Sequence, residues 1–451
     1  MENSLASKME IRDYQQDAVN KWKNHNMNGI FEMATGTGKT YTSILCINEL
    51  IQTNEKLLIV IACPYVHLLT QWQKSLNNVG LTSIFNTNIT KWKEKLGQEI
   101  IKLRYSSKIL IILTTHNTLA NNEFLNILSS SDYPKFLIVD EVHDIGSAQH
   151  RLGLSEMFQY RLGLSATPQR YFDEEGTEFI LNYFSGIVYT FSLKEALEHI
   201  NPDTNKSFIV HYDYIPYFID LTPDEGEKYI EITKKLVKIY NVKEFQDVKE
   251  RLLFKRQNIL KNATNKYNIL NIIMDNFIKS YNTSNTLIYC SPQQIDEVQN
   301  LLSEKNIINH KFTMIEGTKP DKKYNGLSER DFILHKFSEG AYSTLVAMKC
   351  LDEGVDVPSI KNAILMSSSG NLREWYQRMG RILRRDKNKD HAYIYDIIVK
   401  PVKSALIEYK NIEYKLFEKE LSRYTEFISN ADNRLECWNK LHAVKKELGM
   451  I

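Results

Sequence analysis

The chain has 451 residues, too many for one typical domain, and two or three are expected. Its 57 Lys+Arg stand against 55 Asp+Glu, so any basic surface for a polyanion must be local rather than global. Scattered cysteines without a Cys-x-x-Cys pair, an N-terminus without an apolar core and a longest apolar run of only Leu57 to Cys63 exclude a disulfide scaffold, a secretory leader and a membrane span, so a soluble cytoplasmic protein is expected.

The first periodic stretch, Ile11 to Trp22, reads as an amphipathic helix. A glutamine amide presents a donor and an acceptor side by side, matching N7 and N6–H of adenine, so Gln15 is a candidate base reader with Arg12 and Tyr14 packing near it. Next come an apolar strand (Ile30 to Met33), a glycine-bearing loop (Ala34, Thr35, Gly36, Thr37, Gly38) and a helix opening on Lys39 and Thr40. Ile44, Leu45, Ile47 and Leu50 carry that helix at the expected spacing. Backbone N–H groups of such a loop converge on one concavity, and the helix N-terminus adds unpaired donors and a positive dipole end. Lys39 would reach the β- and γ-phosphates and the Thr40 hydroxyl would ligate Mg²⁺, which makes ATP and Mg²⁺ the expected cofactors. Met33 stands where the strict pattern has glycine or alanine.

Continuous apolar strands then alternate with helices: Lys56–Pro64, Lys108–Thr114, Lys135–Asp140 and Arg161–Pro168, with a helix over Leu68–Leu76. Unbroken apolar strands mean a parallel sheet covered on both faces, and ligands of such sheets lie at the carboxyl ends of the strands. Asp140 and Glu141 fall at such an end. Phosphoryl transfer needs a metal-holding carboxylate beside one that orients or deprotonates water, so Asp140 is assigned the metal and Glu141 the water.

From about Glu178 to Lys266 the character changes. Ser192 to Glu195 and Thr222 to Glu225 are capping boxes, the second with Pro223 at the first helical position. Arg251, Lys255, Arg256, Lys261 and Lys266 lie among apolar residues and suit either a solvated helix face or a nucleic-acid backbone. A second α/β unit follows, with strands near Asn285–Cys290, Ile308–Ile315, Ser343–Met348, Asn362–Ser367 and His391–Val399. Its helix over Trp375–Arg385 places Arg381 and Arg384 three apart on one face. From a second unit facing the first, these guanidiniums would reach the γ-phosphate as arginine fingers do. The tail from Pro401 to Ile451 is helical and amphipathic, and suits either a brace on the second unit or a docking surface.

Taken in order, these segments resemble the motif series of superfamily 2 helicases and translocases over about residues 10 to 400. Asp140-Glu-Val-His143, Leu164-Ser-Ala-Thr-Pro168, Glu353-Gly-Val-Asp-Val-Pro358 and Phe184 to Ala196 are most similar to the branch of the XPB helicase and the type I and III restriction ATPase subunits. The resemblance implies an α/β fold of two tandem RecA-like parallel-sheet domains. The first would span 1–205, a helical connector 206–265, the second 266–400 and a helical tail 401–451. It implies that His143 and Gln377 couple the two lobes, that Ser165 and Thr167 link hydrolysis to strand movement, and that Gly354 and Asp356 sense the nucleotide. Pro64, the turn from Thr114 and Thr115 to Asn117, and Ser291 would contact nucleic acid, mostly at phosphates, and Met348 departs from a place where many members have Thr or Ser. The implied function is an ATP-dependent DNA helicase or translocase, with RNA as the alternative substrate and an ATP-switched scaffold subunit as the alternative role. With no nuclease-like residue set in the chain, any cutting would fall to a separate nuclease or another complex subunit.

Overall fold

A computed structural model describes residues 11–85, 92–105, 108–170, 173–201, 204–240, 245–313, 316–317, 320–348, 359–367, 372–387 and 389–451. The chain divides into two compact units, Met1–Phe208 and Ile209–Ile451. Unit one carries strands β1 (Asn28–Met33), β2 (Leu57–Cys63), β3 (Ile84–Phe85), β4 (Ile109–Thr115), β5 (Lys135–Asp140), β6 (Tyr160–Ser165) and β7 (Ile187–Phe191). Its helices are α1 (Asp13–Asn24), α2 (Lys39–Thr53), α3 (Val66–Asn78), α4 (Trp92–Tyr105), α5 (His116–Leu119), α6 (Asn122–Ser129), α7 (Glu174–Tyr183) and α8 (Leu193–Glu198). The seven strands form one sheet in the order β3-β4-β2-β5-β6-β1-β7, with every pairing parallel. A two-stranded ribbon, β8 (Ile200–Asn201) with β9 (Lys206–Ser207), follows.

β2 is buried at all seven positions, as its unbroken apolar run demands of a central strand covered on both faces. Leu58, Val60 and Ala62 point to one face, where they meet Ile112, Leu137, Val139 and Phe124 in a single apolar cluster. The expected parallel sheet is therefore present, and the predicted sites of this unit lie at carboxyl ends of its strands or on the helix that follows, except Arg12 and Gln15, which lie at the start of α1 ahead of β1.

Unit two is built from β10 (His211–Ile219), β11 (Thr286–Tyr289), β12 (Asn309–Phe312), β13 (Thr344–Ala347), β14 (Asn362–Leu365) and β15 (His391–Val399), in the order β10-β15-β14-β11-β13-β12 and again all parallel. Helices α9 (Pro223–Ile239), α10 (Gln246–Lys261), α11 (Asn265–Lys279), α12 (Ile295–Glu304), α13 (Glu329–Ser338) and α14 (Leu372–Ile382) accompany it, and α15 (Lys403–Asn430) and α16 (Arg434–Glu447) form the tail. Both predicted capping boxes are present, at Ser192 and at Thr222.

The stretch 206–265, read from the sequence as a helical connector, differs in one respect. It opens with the nine-residue strand β10, paired with β15 along its whole length, before α9 and α10. Pro216 inside that strand is tolerated because β10 is an edge strand. The edge is protected from the tail. Asn433 accepts the Tyr214 N–H at 3.0 Å and donates to the Tyr214 carbonyl at 2.9 Å, standing in for a neighbouring strand.

The basic residues of this region also divide. Arg256 is not on a solvated face: it is buried between α9, α10 and α15, with Nη2 3.1 Å from Glu413 Oε2 and its guanidinium 4.5 Å from the Tyr229 ring. Tyr229 and Thr233 donate to the same carboxylate at 2.7 and 3.3 Å. Lys266 is likewise buried and donates to the Met366 carbonyl. The tail is thus a brace, locked to α9 and α10 by a buried ion pair. Among the described residues no helix is long and apolar enough to cross a membrane.

Candidate active site

The turn from β1 into α2 has the backbone that a phosphate loop requires. Gly36 and Gly38 sit at φ 86° and 87°, a region closed to most side chains. A Cβ on Gly38 would also stand 2.8 Å from Gln15 Nε2, so the glycine makes room for the glutamine. Thr37 is fully buried and its hydroxyl donates to the Ala34 carbonyl at 2.6 Å, closing the loop on itself. Lys39 Nζ reaches back to the Met33 carbonyl at 3.0 Å, across the mouth of the loop. Thr40 lies in the first turn of α2, and Thr42 bonds back to Gly38 O. The departure at Met33 is harmless here, because that side chain is fully buried in β1 and only its carbonyl faces Lys39.

The first turn of α1 and its N-cap are anchored to this loop. Tyr14 Oη donates to the Thr37 carbonyl at 2.5 Å, and Arg12 Nη1 donates to Tyr14 Oη at 3.1 Å. The Tyr14 ring stacks on Phe191 at 4.3 Å, and Arg12 lies 4.6 Å over Phe208. Gln15 Oε1 accepts the Arg12 N–H at 3.2 Å. One of its two lone pairs remains, so the amide keeps both an acceptor and a donor for an adenine edge.

At the end of β5, Asp140 is held on three sides. Its Oδ2 accepts the Trp72 indole N–H at 2.9 Å, its Oδ1 accepts the Glu141 N–H at 3.0 Å, and His116 Nε2 lies 3.1 Å from its carbonyl. Burial pushes the Asp140 carboxyl above the ordinary range, while the Trp72 bond, the nearby Lys39 charge and the Glu141 N–H pull it back. β5 and β1 both pair with β6, so the acid box and the phosphate loop stand at the same edge of the sheet, one strand apart. Glu141 itself has φ 50° and ψ 53°, a left-handed conformation costing about 1–3 kcal/mol for a non-glycine residue. Such strain persists only where the surroundings over-determine it, as at a residue that must aim a carboxylate.

His143, two residues on, is buried, and its Nδ1 is 2.8 Å from Ser165 Oγ. Ser165 Oγ also accepts the Thr167 N–H at 3.0 Å, so the predicted coupling residues His143, Ser165 and Thr167 are brought together. Two participants were not legible in the sequence. Arg170 donates to the His143 carbonyl and, through Nε, to Asp173 Oδ2 at 2.6 Å. Gly146 lets it through, since a Cβ there would stand 2.6 Å from Arg170 Cδ. His150 joins Asn117 Oδ1 at 2.8 Å to the Asp144 carbonyl at 3.2 Å. Only proximity in sequence to the motifs could have signalled either residue.

Hard oxygen donors at Thr40 and Asp140, beside a cationic Lys39, fit Mg²⁺ held largely by nucleotide phosphates rather than by a protein cage. Among the described residues no cluster of three or more His, Cys, Asp or Glu could hold a metal by itself.

The predicted nucleic-acid contacts fare unevenly. Pro64 is half-buried at the end of β2, just before the exposed Tyr65 and Val66. Thr114 is buried, and Thr115 caps α5 by accepting the Thr118 N–H at 3.2 Å. With Asn117, Trp92, Leu96 and Phe124 they line a cavity of about 340 Å³. His116 in the same turn is buried, which lowers its imidazole to about 3, with the neighbouring His150 adding to the shift. The ring is therefore neutral, and it must donate from Nε2 because the Asp140 carbonyl can only accept. Ser291, in unit two, is buried with its hydroxyl on Asn262 Oδ1 at 2.5 Å, so it presents no free surface.

In unit two, Gln377 and Arg381 are buried on α14. The expectation that Arg381 and Arg384 share one helix face is corrected. α14 ends at Ile382, where Leu383 O accepts the Val210 N–H and Arg384 forms an antiparallel bridge with Ile209. Arg384 is drawn out of the helix by that pairing. Arg378, which the sequence reading passed over, lies 4.7 Å over the Tyr289 ring. Gly354 and Asp356 lie outside the described residues, and Met348 packs half-buried against the apolar cluster of this unit.

Residues 8–170 match the family model described as type III restriction enzyme, res subunit, and residues 265–386 match that of the helicase conserved C-terminal domain. The DNA 3'-5' translocase XPB2 of Sulfurisphaera tokodaii is 29% identical over 418 residues, covering 88% of this chain and 83% of that protein. Among solved structures, the ATP-dependent type ISP restriction-modification enzyme LlaBIII bound to DNA superposes with a TM-score of 0.60 at 17% identity, over 94% of this chain. This chain spans only 30% of that one. The Hef helicase domain of Pyrococcus furiosus superposes with a TM-score of 0.52 at 15% identity, over 89% of this chain and 98% of that one. At such identities the superpositions speak to fold alone.

Proposed function

The chain belongs to the superfamily 2 helicases and translocases, and from that premise we propose an ATP-driven motor that moves along DNA and hydrolyses ATP faster when DNA is bound. The observation that carries the reading is that the phosphate loop and the acid box stand at the carboxyl ends of β1 and β5, parallel strands that flank β6 from either side. Gln15 reads the base, with Arg12 and Tyr14 as its platform. Backbone N–H groups of Thr35 to Thr40 cradle the phosphates, and Lys39 neutralises their charge. Mg²⁺ supplies Lewis-acid neutralisation at the phosphates when bound, with Thr40 and Asp140 as its protein ligands.

Glu141 orients the attacking water and takes its proton. Its left-handed backbone sets the direction in which the side chain leaves the end of β5. His143 senses the same segment and passes its position to Ser165 and Thr167 through the bonds described. Arg381 and Arg384 stabilise charge on the transferring phosphoryl group, and Gln377 couples the second unit to the cycle. Gly354 and Asp356 are proposed to sense the nucleotide. Pro64, Thr114 and Thr115 mark the nucleic-acid track in unit one, and Ser291 supports it in unit two from within. The choice of DNA rests on the named activity of the XPB2 relative, and a separate nuclease or other subunit would be a partner of the type found in restriction systems.

The test is an ATPase titration with duplex DNA, single-stranded DNA and RNA of equal length, run at two salt concentrations. DNA should stimulate most, and the stimulation should fall steeply with salt, as phosphate neutralisation requires. Greater stimulation by RNA would replace the substrate. Triplex displacement that never exceeds the ATP-free control would leave a nucleotide switch rather than a motor.

A further inference from the structure

Asp140 is gripped from two directions, and both grips originate beside the turns that the proposed function places on nucleic acid. α3 starts at Val66, directly after Pro64 and Tyr65 at the end of β2. Leu69, Trp72 and Leu76 form its buried face, and the Trp72 indole is 2% exposed. A buried indole N–H must find an acceptor. A core-filling tryptophan usually takes a backbone carbonyl, whereas this one takes the Asp140 carboxylate, at 2.9 Å. The second grip comes from β4. His116 directly follows Thr115, and its Nε2 bonds the Asp140 carbonyl at 3.1 Å. Its neighbour Asn117 reaches the same segment through His150 and the Asp144 carbonyl.

We propose that Trp72 and His116 are positioning residues that tie the nucleic-acid turns after β2 and β4 to the metal carboxylate Asp140, so that filling those turns changes how firmly the carboxylate is held. The inference deepens the proposed function and rests on it for the location of nucleic acid. Its physics is that of a short rigid lever. Val66 and Trp72 are separated by about 9 Å of helix at ~1.5 Å per residue. A phosphate bound at the exposed N-terminal end of α3 therefore fixes the indole without touching it. The Glu141 N–H occupies Oδ1, so the Trp72 bond to Oδ2 decides the rotation of the carboxylate about its own axis.

The test uses the full chain and three variants. Trp72→Phe keeps the ring and deletes the donor, His116→Gln keeps a donor near the Nε2 position, and His116→Leu deletes it. The first readout is not turnover. It is the Mg²⁺ concentration giving half-maximal binding of a fluorescent non-hydrolysable ATP analogue, with and without a duplex DNA oligonucleotide. Duplex DNA should lower that concentration in the unaltered chain. Loss of a hydrogen bond to a metal-holding carboxylate typically costs about 10–100-fold in metal affinity, so Trp72→Phe should raise the concentration at least about 10-fold and abolish its response to DNA. His116→Leu, which frees the Asp140 backbone carbonyl, should raise it in the same direction and weaken the response. His116→Gln should stay close to the unaltered chain. DNA affinity without nucleotide should change less than about twofold in all three, because none of these side chains reaches the surface.

A Trp72→Phe chain with unchanged Mg²⁺ requirement and an intact response to DNA would make Trp72 a core filler and overturn the proposal. So would a parallel loss of DNA affinity, which would put these residues on the track itself. Should Trp72→Phe fail to fold by thermal melting, the contrast between His116→Gln and His116→Leu decides alone. If RNA rather than DNA stimulates hydrolysis, the substrate assignment falls while the same Mg²⁺ measurement with RNA still judges the link.

Discussion

Removing Glu413 should detach the tail from the second unit, and the size of the effect follows from its surroundings. Glu413 is fully buried and Arg256 is 3% exposed. Glu413→Ala leaves a guanidinium in the interior without its carboxylate and strips the Tyr229 and Thr233 hydroxyls of an acceptor. Breaking one side of a buried ion pair costs about 3–5 kcal/mol. Glu420, 3.8 Å from Arg256 Nη1, offsets a part, so the lower end is expected. With a urea slope near ~3 kcal/mol/M the unfolding midpoint of this unit should fall by about 1–1.5 M. The assay is urea unfolding followed by tryptophan emission, because Trp375 packs on Phe427 of the tail at 5.0 Å. Limited proteolysis should release fragments cut beyond residue 400 in parallel. Replacing both partners with apolar residues, Arg256→Met with Glu413→Leu, should restore most of the stability, since a well-packed apolar pair is often as good as a buried ion pair. A Glu413→Ala midpoint within about 0.3 M of the unaltered chain would show that water or Glu420 satisfies the arginine, and the brace would not be the source of the tail's order.

Five further outcomes are expected. Glu141→Gln should abolish DNA-stimulated hydrolysis while nucleotide still binds, and Arg384→Ala should slow it by about 10³–10⁵-fold; single-turnover phosphate release measures both, and near-normal rates would reject the roles. Gln15→Ala should narrow the preference for ATP over GTP, read as the ratio of kcat/KM values, and an unchanged ratio would remove the base-reading role. Ser165→Ala leaves the buried Thr167 N–H and His143 Nδ1 without their shared partner, which should cost about 1–3 kcal/mol in unit one and reduce displacement more than hydrolysis; equal loss of both would refute a coupling role. His116, lowered to about 3 in the fold, is neutral there, while the unfolded chain protonates near the ordinary histidine value of about 6.5. The unfolded state then binds more protons below that value, so stability is full above pH ~6.5 and declines toward pH ~3, by about 2 kcal/mol between pH ~6.5 and ~5. Comparing urea midpoints of the unaltered chain and His116→Gln across that window isolates the term, and parallel pH profiles would deny it.

The parallel sheets were legible because burial on both faces forces unbroken apolar strands, and Leu57 to Cys63 could hardly be anything else. The phosphate loop and the acid box were legible because each is a local backbone event with its residues adjacent in the chain. What was hidden depended on contacts across long separations. β10 was read as connector because Pro216 and an alternation of tyrosines with polar residues suit an edge strand only once β15 and Asn433 are known to flank it. Arg256 looked like one member of a basic helix face, and nothing local distinguishes it from Arg251 or Lys255. Its partner Glu413 lies in another helix of the tail. Arg384 was placed on α14 by periodicity, but the helix yields its last turn to a bridge with Ile209, a residue far upstream. Trp72 showed only as an apolar position at helical spacing.

The chain order of unit one also conceals who can speak to whom. Along the sequence, the strands bearing the site run β1, β2, β4, β5, β6, so the phosphate loop comes first and the hydroxyl pair last. Across the sheet the order is β4-β2-β5-β6-β1. The two strands that end in the turns proposed for nucleic acid therefore lie together on one side of β5, and those carrying Ser165 and the phosphate loop lie together on the other. The acid box on β5 stands between these two groups. Three of its bonds follow that geometry: Trp72 and His116 toward β2 and β4, Ser165 toward β6. A motor needs the occupancy of its track to alter hydrolysis and hydrolysis to alter its grip. In a sheet of this order both messages would, on the proposed function, pass through Asp140 to His143, a segment of four residues. A double-mutant cycle between Trp72→Phe and Ser165→Ala, read as DNA stimulation of hydrolysis, should therefore depart from additivity by about 0.5–3 kcal/mol. Additive losses would mean that the two sides of β5 act on hydrolysis separately.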